Sequence, residues 1–231
     1  MQKTRDRQPL VMRHFEQELD ELRKRLLEMS GLVESAIYRS ALSLMEKDEA
    51  QARHVLDNEA RVNQMQIEID ELATRLLALE QPVARDLRFL TAAIKINSDL
   101  ERMGDLAVNI AERSISLMHE PLVRPLIDIP HMANLAEAMV RKALDSFVKG
   151  DPDLARSVLV SDDAVDELRD SIHSELIRYM QRDPAAVRQC VDLMFVAHDL
   201  ERVADHATNV AEGVLFLVEG VDVRHHAEAR K

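Results

Sequence analysis

The chain has 231 residues, 46% of them hydrophobic, with one cysteine and a formal net charge of −12. This acidity excludes nucleic acid and anionic lipid as the main ligand and suits cations or basic protein surfaces. Cys190 cannot form an internal disulfide, no apolar run reaches the roughly 20 residues that span a bilayer, and the opening MQKTRDRQPL carries charges where a signal peptide needs an apolar core. The expectation is a cytoplasmic protein that meets membranes only through partners. With 3% aromatics, 5 glycines and no tryptophan, the composition favours helix and starves strands, so an all-α fold is expected.

The prolines place the helices. A first helix over 9–47 carries Phe15, Leu19, Leu22, Leu26, Met29 and Val33 at steps of three and four, an apolar seam for packing along a neighbour. A second, over 49–80, contains DNEARVN, with Glu59 and Asn63 four apart. Gln81-Pro82 then separates it from a third over 83–119, which contains SDLERMGDLAVNIAE. The stretch EPLVRPLIDIP (120–130), with three prolines, reads as a linker. A fourth helix spans 131–149. Asp151-Pro152 and Asp183-Pro184 each read as an N-cap followed by proline at the first helical position, opening helices over 151–182 and 184–219. Residues 220–231 form a tail. Short connections force antiparallel neighbours, so six helices should form two tandem antiparallel three-helix bundles, 9–119 and 131–219.

The motif of the third helix recurs a hundred residues later as HDLERVADHATNVAE, with nine of fifteen positions identical. Leu100, Met103, Ala107 and Ile110 share one helical face, as do Leu200, Val203, Ala207 and Val210, and both faces should be core. Glu101, Asp105, Asn109 and Glu112, with Glu201, Asp205, Asn209 and Glu212, fall on outward stripes. A solvated face is the ordinary reading of such charges. However, like charges four apart repel unless something positive sits between them, and these stripes differ less between the halves than a free surface should.

Paired carboxylates with an amide oxygen form a ligand set for hard cations. A second helix must supply further oxygens: the fifth offers Asp162 and Asp166, the second Glu59 and Asn63, one charge fewer. The first site is therefore expected to be the weaker. His206, whose counterpart is Leu106, is a further candidate ligand, although a histidine on a helix surface is ordinarily only that.

The runs PVARDLRFL…NSDLERMGDLAVNIAE and DPAAVRQCVDLMFVAHDLERVADHATNVAE closely resemble the PhoU family of phosphate-transport and phosphate-signalling regulators, over about Phe15 to Glu219. The resemblance implies two three-helix bundles whose acidic helix faces hold metal ions (Mg, Mn, Fe or Zn) at Glu101/Asp105, Glu201/Asp205 and Asp162/Asp166. It also implies a cytoplasmic negative regulator of the phosphate-starvation response. Such a regulator bridges the ATPase subunit of the phosphate ABC transporter and a sensor histidine kinase, with a second copy of the chain as a further partner. Catalysis is not expected, since the chain has no Gly-rich phosphate loop, GxSxG or nucleophilic Cys/His pair. Two alternatives stand beside this reading. One is a metal-free helical scaffold; the other is a metal-dependent carboxylate enzyme, which needs inward carboxylates and Glu-x-x-His pairs that the chain lacks. Phosphate itself would be repelled by the net charge unless bound metal reversed the sign locally.

Overall fold

A computed structural model describes residues 10–80, 82, 84–118, 128–221 and 223. Among them are six α-helices: α1 (Leu10–Glu46), α2 (Glu49–Glu80), α3 (Ala84–Leu117), α4 (Asp128–Lys149), α5 (Pro152–Arg182) and α6 (Val187–Glu219). The described residues contain no strand. Sequence and structure agree closely on the helices because the signals are local. Asp48 Oδ1 accepts from the Ala50 N–H at 2.9 Å, and Asp151 Oδ1 accepts from the Asp153 and Leu154 N–H groups at 3.0 Å. Each cap satisfies amides that have no partner inside the helix.

Two boundaries differ from the expected ones by three residues, the others by two at most. Helix α4 begins at Asp128 rather than 131, because Pro130 lies within the first turn, where its missing N–H costs nothing. Asp183 does cap Ala185, at 3.1 Å, but the chain makes a single 3₁₀ turn over Pro184–Ala186 before α6 begins at Val187. Most of the expected linker and tail lie outside the described residues.

Helices α1–α3 and α4–α6 each pack as a three-helix bundle. Leu22, Leu26, Met29 and Val33 of α1 are buried with Leu100, Met103, Ala107 and Ile110 of α3, and Leu200, Val203, Ala207 and Val210 of α6 with Val158, Val165 and Ile172 of α5; all belong to one apolar core shared by the two bundles. The bundles are joined where α3 lies against α6, and the partners run in opposite directions along the two helices. Lys95 sits over the Phe216 ring at 5.8 Å, Asp99 meets His206 and Asn209, and Arg113 lies over the Phe195 ring at 4.3 Å. A smaller contact joins α1 to α4, where Arg141 Nε donates to Glu34 Oε1 at 2.8 Å.

This seam carries buried polar groups. His206 is 6% exposed with Nδ1 2.9 Å from Asp99 Oδ1, to which Asn209 Nδ2 also donates at 3.2 Å. At the pseudo-symmetric place Leu106 replaces the imidazole, and Asp199, 6% exposed, faces Arg113 Nε at 3.7 Å instead. Burial raises the Asp199 carboxyl above its ordinary range, and Arg113 opposes that shift. Removing one partner of a buried charged pair leaves the other uncompensated. Arg113→Ala, which loses Asp192, Asp199 and the Phe195 ring together, is therefore expected to cost about 2–4 kcal/mol in urea unfolding, against less than about 1 kcal/mol for the exposed Arg53→Ala.

Candidate functional site

The acidic residues lie on two faces, each between the third helix of a bundle and the helix beside it. Leu100 and Leu200 point into their cores, which turns residues 101/105 and 201/205 toward α2 and α5. Asp105, Asn109, Asp205 and Asn209 are exposed, while Glu101 and Glu201 are half-buried. The expectation of a uniformly outward stripe fails at Glu212, which is 9% exposed. His206 and Asn209 reach across to Asp99 of α3. Their polar atoms serve the junction between bundles rather than the acidic face of their own helix.

On the first face, Glu59 and Asn63 of α2 and Asp105 of α3 line a small cavity of about 20 Å³. Asn63 Oδ1 is buried there without a hydrogen-bond partner. The rest of the lining is largely apolar, with Leu32, Ala36, Val55, Val62 and Val108, so the orphaned carbonyl oxygen is a polar mismatch that a cation held with the neighbouring carboxylates would relieve. Beside it, burial followed by the Asp105 charge raises the Glu101 carboxyl above its ordinary range, with Arg102 and His206 opposing. Among the described residues, no three His, Cys, Asp or Glu side chains converge enough to hold an ion by themselves. The first face therefore provides two carboxylates and one amide oxygen, an incomplete shell of the kind that suits a cation retaining its own water.

The second face is arranged differently. Arg169 of α5 places Nη1 2.5 Å from Glu201 Oε1 and 3.4 Å from Asp166 Oδ1, and its Nε 3.1 Å from Asp170 Oδ1. His198 Nδ1 lies 3.4 Å from Glu201 Oε2. Burial and then Asp205 raise the Glu201 carboxyl, and burial and then Asp166 raise that of Asp205, while Arg169 pulls both down. The guanidinium takes the position between carboxylates where a cation would go, so this donor set does not fit a metal while Arg169 stays in place. Asp162, four residues before Asp166, is half-buried on α5. The ordering expected from charge count is thereby undercut: the face with more carboxylates already holds a cation, and the face with Asn63 has the unpaired oxygen.

Spacing alone does not assign a role to several of these residues. Arg169 stands three residues after Asp166, so a base on the acidic stripe of α5 was a signal open to reading. Asp99 and Asp199 are identical in the two copies, but only the packing of α3 on α6 reveals what they face.

Arg169→Gln is expected to cost about 1–2 kcal/mol near neutral pH, measured by urea unfolding. Without the guanidinium, Glu201 and Asp205 repel each other, so the folded protein holds their protons more tightly than the unfolded chain does. Stability then falls as pH rises through the carboxylate range toward these raised values. The cost should accordingly shrink below about pH 4.5, where the carboxyls are protonated.

Comparison with known proteins places this geometry. The PhoU domain family matches residues 26–114 and again 129–214, one match per bundle. A protein of Pseudomonas putida named phosphate-specific transport system accessory protein PhoU homolog is 39% identical over 216 residues, covering 93% of this chain and 84% of that one. The crystal structure of PhoU from Pseudomonas aeruginosa superposes with a TM-score of 0.88 at 38% identity, over 90% of this chain and 100% of that one. The phosphate transport system regulatory protein PhoU from Streptococcus pneumoniae gives 0.82 at 30% identity, over 90% and 99%. With both bundles matched and the fold shared along nearly its whole length, the chain belongs to the PhoU family.

Proposed function

We propose that this protein is a non-catalytic regulator of phosphate uptake that works by docking. In this reading it acts in the cytoplasm as a negative regulator of the phosphate-starvation response. It bridges the ATPase subunit of the phosphate ABC transporter and a sensor histidine kinase, and reaches the membrane only through them. No helix of the described residues is long and apolar enough to cross a membrane, which is compatible with that route. The observation that carries the proposal is the match of both bundles to proteins named for accessory and regulatory roles in phosphate transport. The long helical faces agree with it: basic partner surfaces would meet acidic stripes, and one partner can bias another where their footprints overlap.

On the first face, Glu59, Asp105 and the Asn63 carbonyl would hold a divalent cation, with Glu101 beside them. Bound there, it would neutralise like charges and fix α2 against α3. The second face favours the metal-free reading, since Arg169 performs the same neutralisation from within the chain.

Two measurements test this. In thermal unfolding at neutral pH, Mg²⁺ or Mn²⁺ should raise the midpoint of the wild type, and Glu59→Gln with Asp105→Asn should abolish that rise. The same double variant without added metal should be slightly more stable than wild type, by about 0.5 kcal/mol, because residue 105 no longer repels Glu101 one turn away on the same helix. Equal metal response in the variant would refute the first-face site. In cells lacking any second family copy, deletion should leave phosphate-starvation genes expressed and phosphate uptake poorly restrained when phosphate is plentiful. Normal repression in the deletion would refute the regulatory reading.

A further inference from the structure

A cavity of about 590 Å³ opens at the end of the seam where α3 begins and α4 and α6 end, away from both acidic faces. That volume is within the range of small-molecule sites. Among the described residues its charged lining is Arg23 of α1, Arg85 and Arg88 of α3 and Lys149 of α4, against a single carboxylate, Asp86. In a chain of net charge −12 this is a local reversal of sign. Two of the cations have partners outside the lining, Arg23 with Asp20 at 2.8 Å and Lys149 with Asp145 at 2.9 Å. Arg85 and Arg88 make no ion pair among the described residues, and Arg88 Nε is buried without a hydrogen-bond partner.

Arg85 and Arg88 thus serve no ion pair among the described residues. The cations are not needed to cap the helices ending at the rim, since the Gly150 N–H donates to the Phe147 carbonyl at 3.4 Å and the Gly220 N–H to that of Phe216 at 3.0 Å. Both glycines take the left-handed conformation, at φ 61° and 73°, that such self-capping requires. The aromatic side of the cavity is built rather than loose: Arg23 lies over the Phe89 ring at 4.6 Å, and Phe89 stacks on Phe147 with centroids 6.4 Å apart and planes 8° apart. The rest of the wall is apolar, with Leu27, Val148 and Val218 partly exposed to solvent. Arg85, Asp86 and Arg88 come from the run PVARDLRFL, which the acidic faces leave unused. The second copy, DPAAVRQC, keeps only Arg188, so the arrangement occurs once per chain.

We propose that this cavity binds a nucleoside di- or triphosphate, its phosphates on Arg85, Arg88 and Lys149 and its nucleoside against the apolar wall. Unpaired guanidinium groups supply charge-assisted hydrogen bonds to phosphoryl oxygens. The exposed apolar side chains give a ring system a surface that inorganic phosphate cannot use. The distant acidic faces do not forbid an anion here, because solvent screens charges separated by more than about 8–10 Å. The site goes beyond the regulatory reading and does not rest on it.

The test is equilibrium dialysis of the full-length protein against labelled ATP and ADP, with pyrophosphate, orthophosphate and sulfate as competitors at matched ionic strength. The expected result is saturable binding, one site per chain, with a Kd below about 1 mM. Arg85→Glu with Lys149→Glu should weaken it by about tenfold or more, with helicity unchanged by circular dichroism because both side chains are exposed. The milder Arg85→Gln with Lys149→Gln should weaken it less, and Glu59→Gln with Asp105→Asn should leave it unchanged. Absence of saturable binding, binding insensitive to both cavity variants, or displacement by pyrophosphate or orthophosphate as effective as by ATP would overturn the proposal. Deletion phenotypes do not enter this measurement, so its failure and that of the regulatory reading are separable.

Discussion

The antiparallel packing of α3 against α6 is the constraint on which the rest of the molecule depends. Each helix serves its own core on one face and the other bundle on a second, so the direction left for its acidic residues is set. With Leu100 and Met103 in the core and Asp99 in the seam, Asp105 can face only outward and toward α2. The corresponding geometry turns Glu201 and Asp205 toward α5. The seam also ends in the cationic cavity, because the start of α3 lies beside the ends of α4 and α6 only when the two central helices run in opposite directions.

A repeated backbone here carries unequal electrostatics. The two bundles share their core pattern, yet the groups around it differ pair by pair. Position 106 is leucine where 206 is histidine, and position 95 is a lysine stacked on Phe216 where 195 is a phenylalanine beneath Arg113. On the acidic faces Asn63 stands where the second bundle has Asp166, and Gln66 where it has Arg169. One face is thereby left with an unsatisfied oxygen and the other with its own internal cation. The two halves are alike as folds and unlike as ligands.

The same contrast holds for the molecule as a whole. A net charge describes the field at a distance, and there this protein repels anions and attracts basic surfaces. At contact range the field is set by the few groups lining a surface, and four cations around one cavity give it the opposite sign. An acidic helical protein can thus present acidic faces to partners and keep a separate cationic pocket at the junction of its bundles.

The helices were legible in the sequence because helix formation is local. Caps such as Asp151, prolines at first turns and apolar residues spaced by three and four act within a few residues, and they set each segment and its buried face before any neighbour is known. The duplication, and with it the pairing of Glu101/Asp105 with Glu201/Asp205, was legible for the same reason. What these residues face was decided by tertiary structure alone. That His206 meets Asp99, that Arg169 neutralises Glu201, that Asn63 is left without a partner, and that Arg23, Arg88 and Lys149 share a cavity all depend on side chains far apart in the chain. Their proximity follows from how one helix is rotated and placed against another. Helical spacing fixes which residues share a face, whereas the energy of a charge or an unpaired oxygen depends on what that face is packed against.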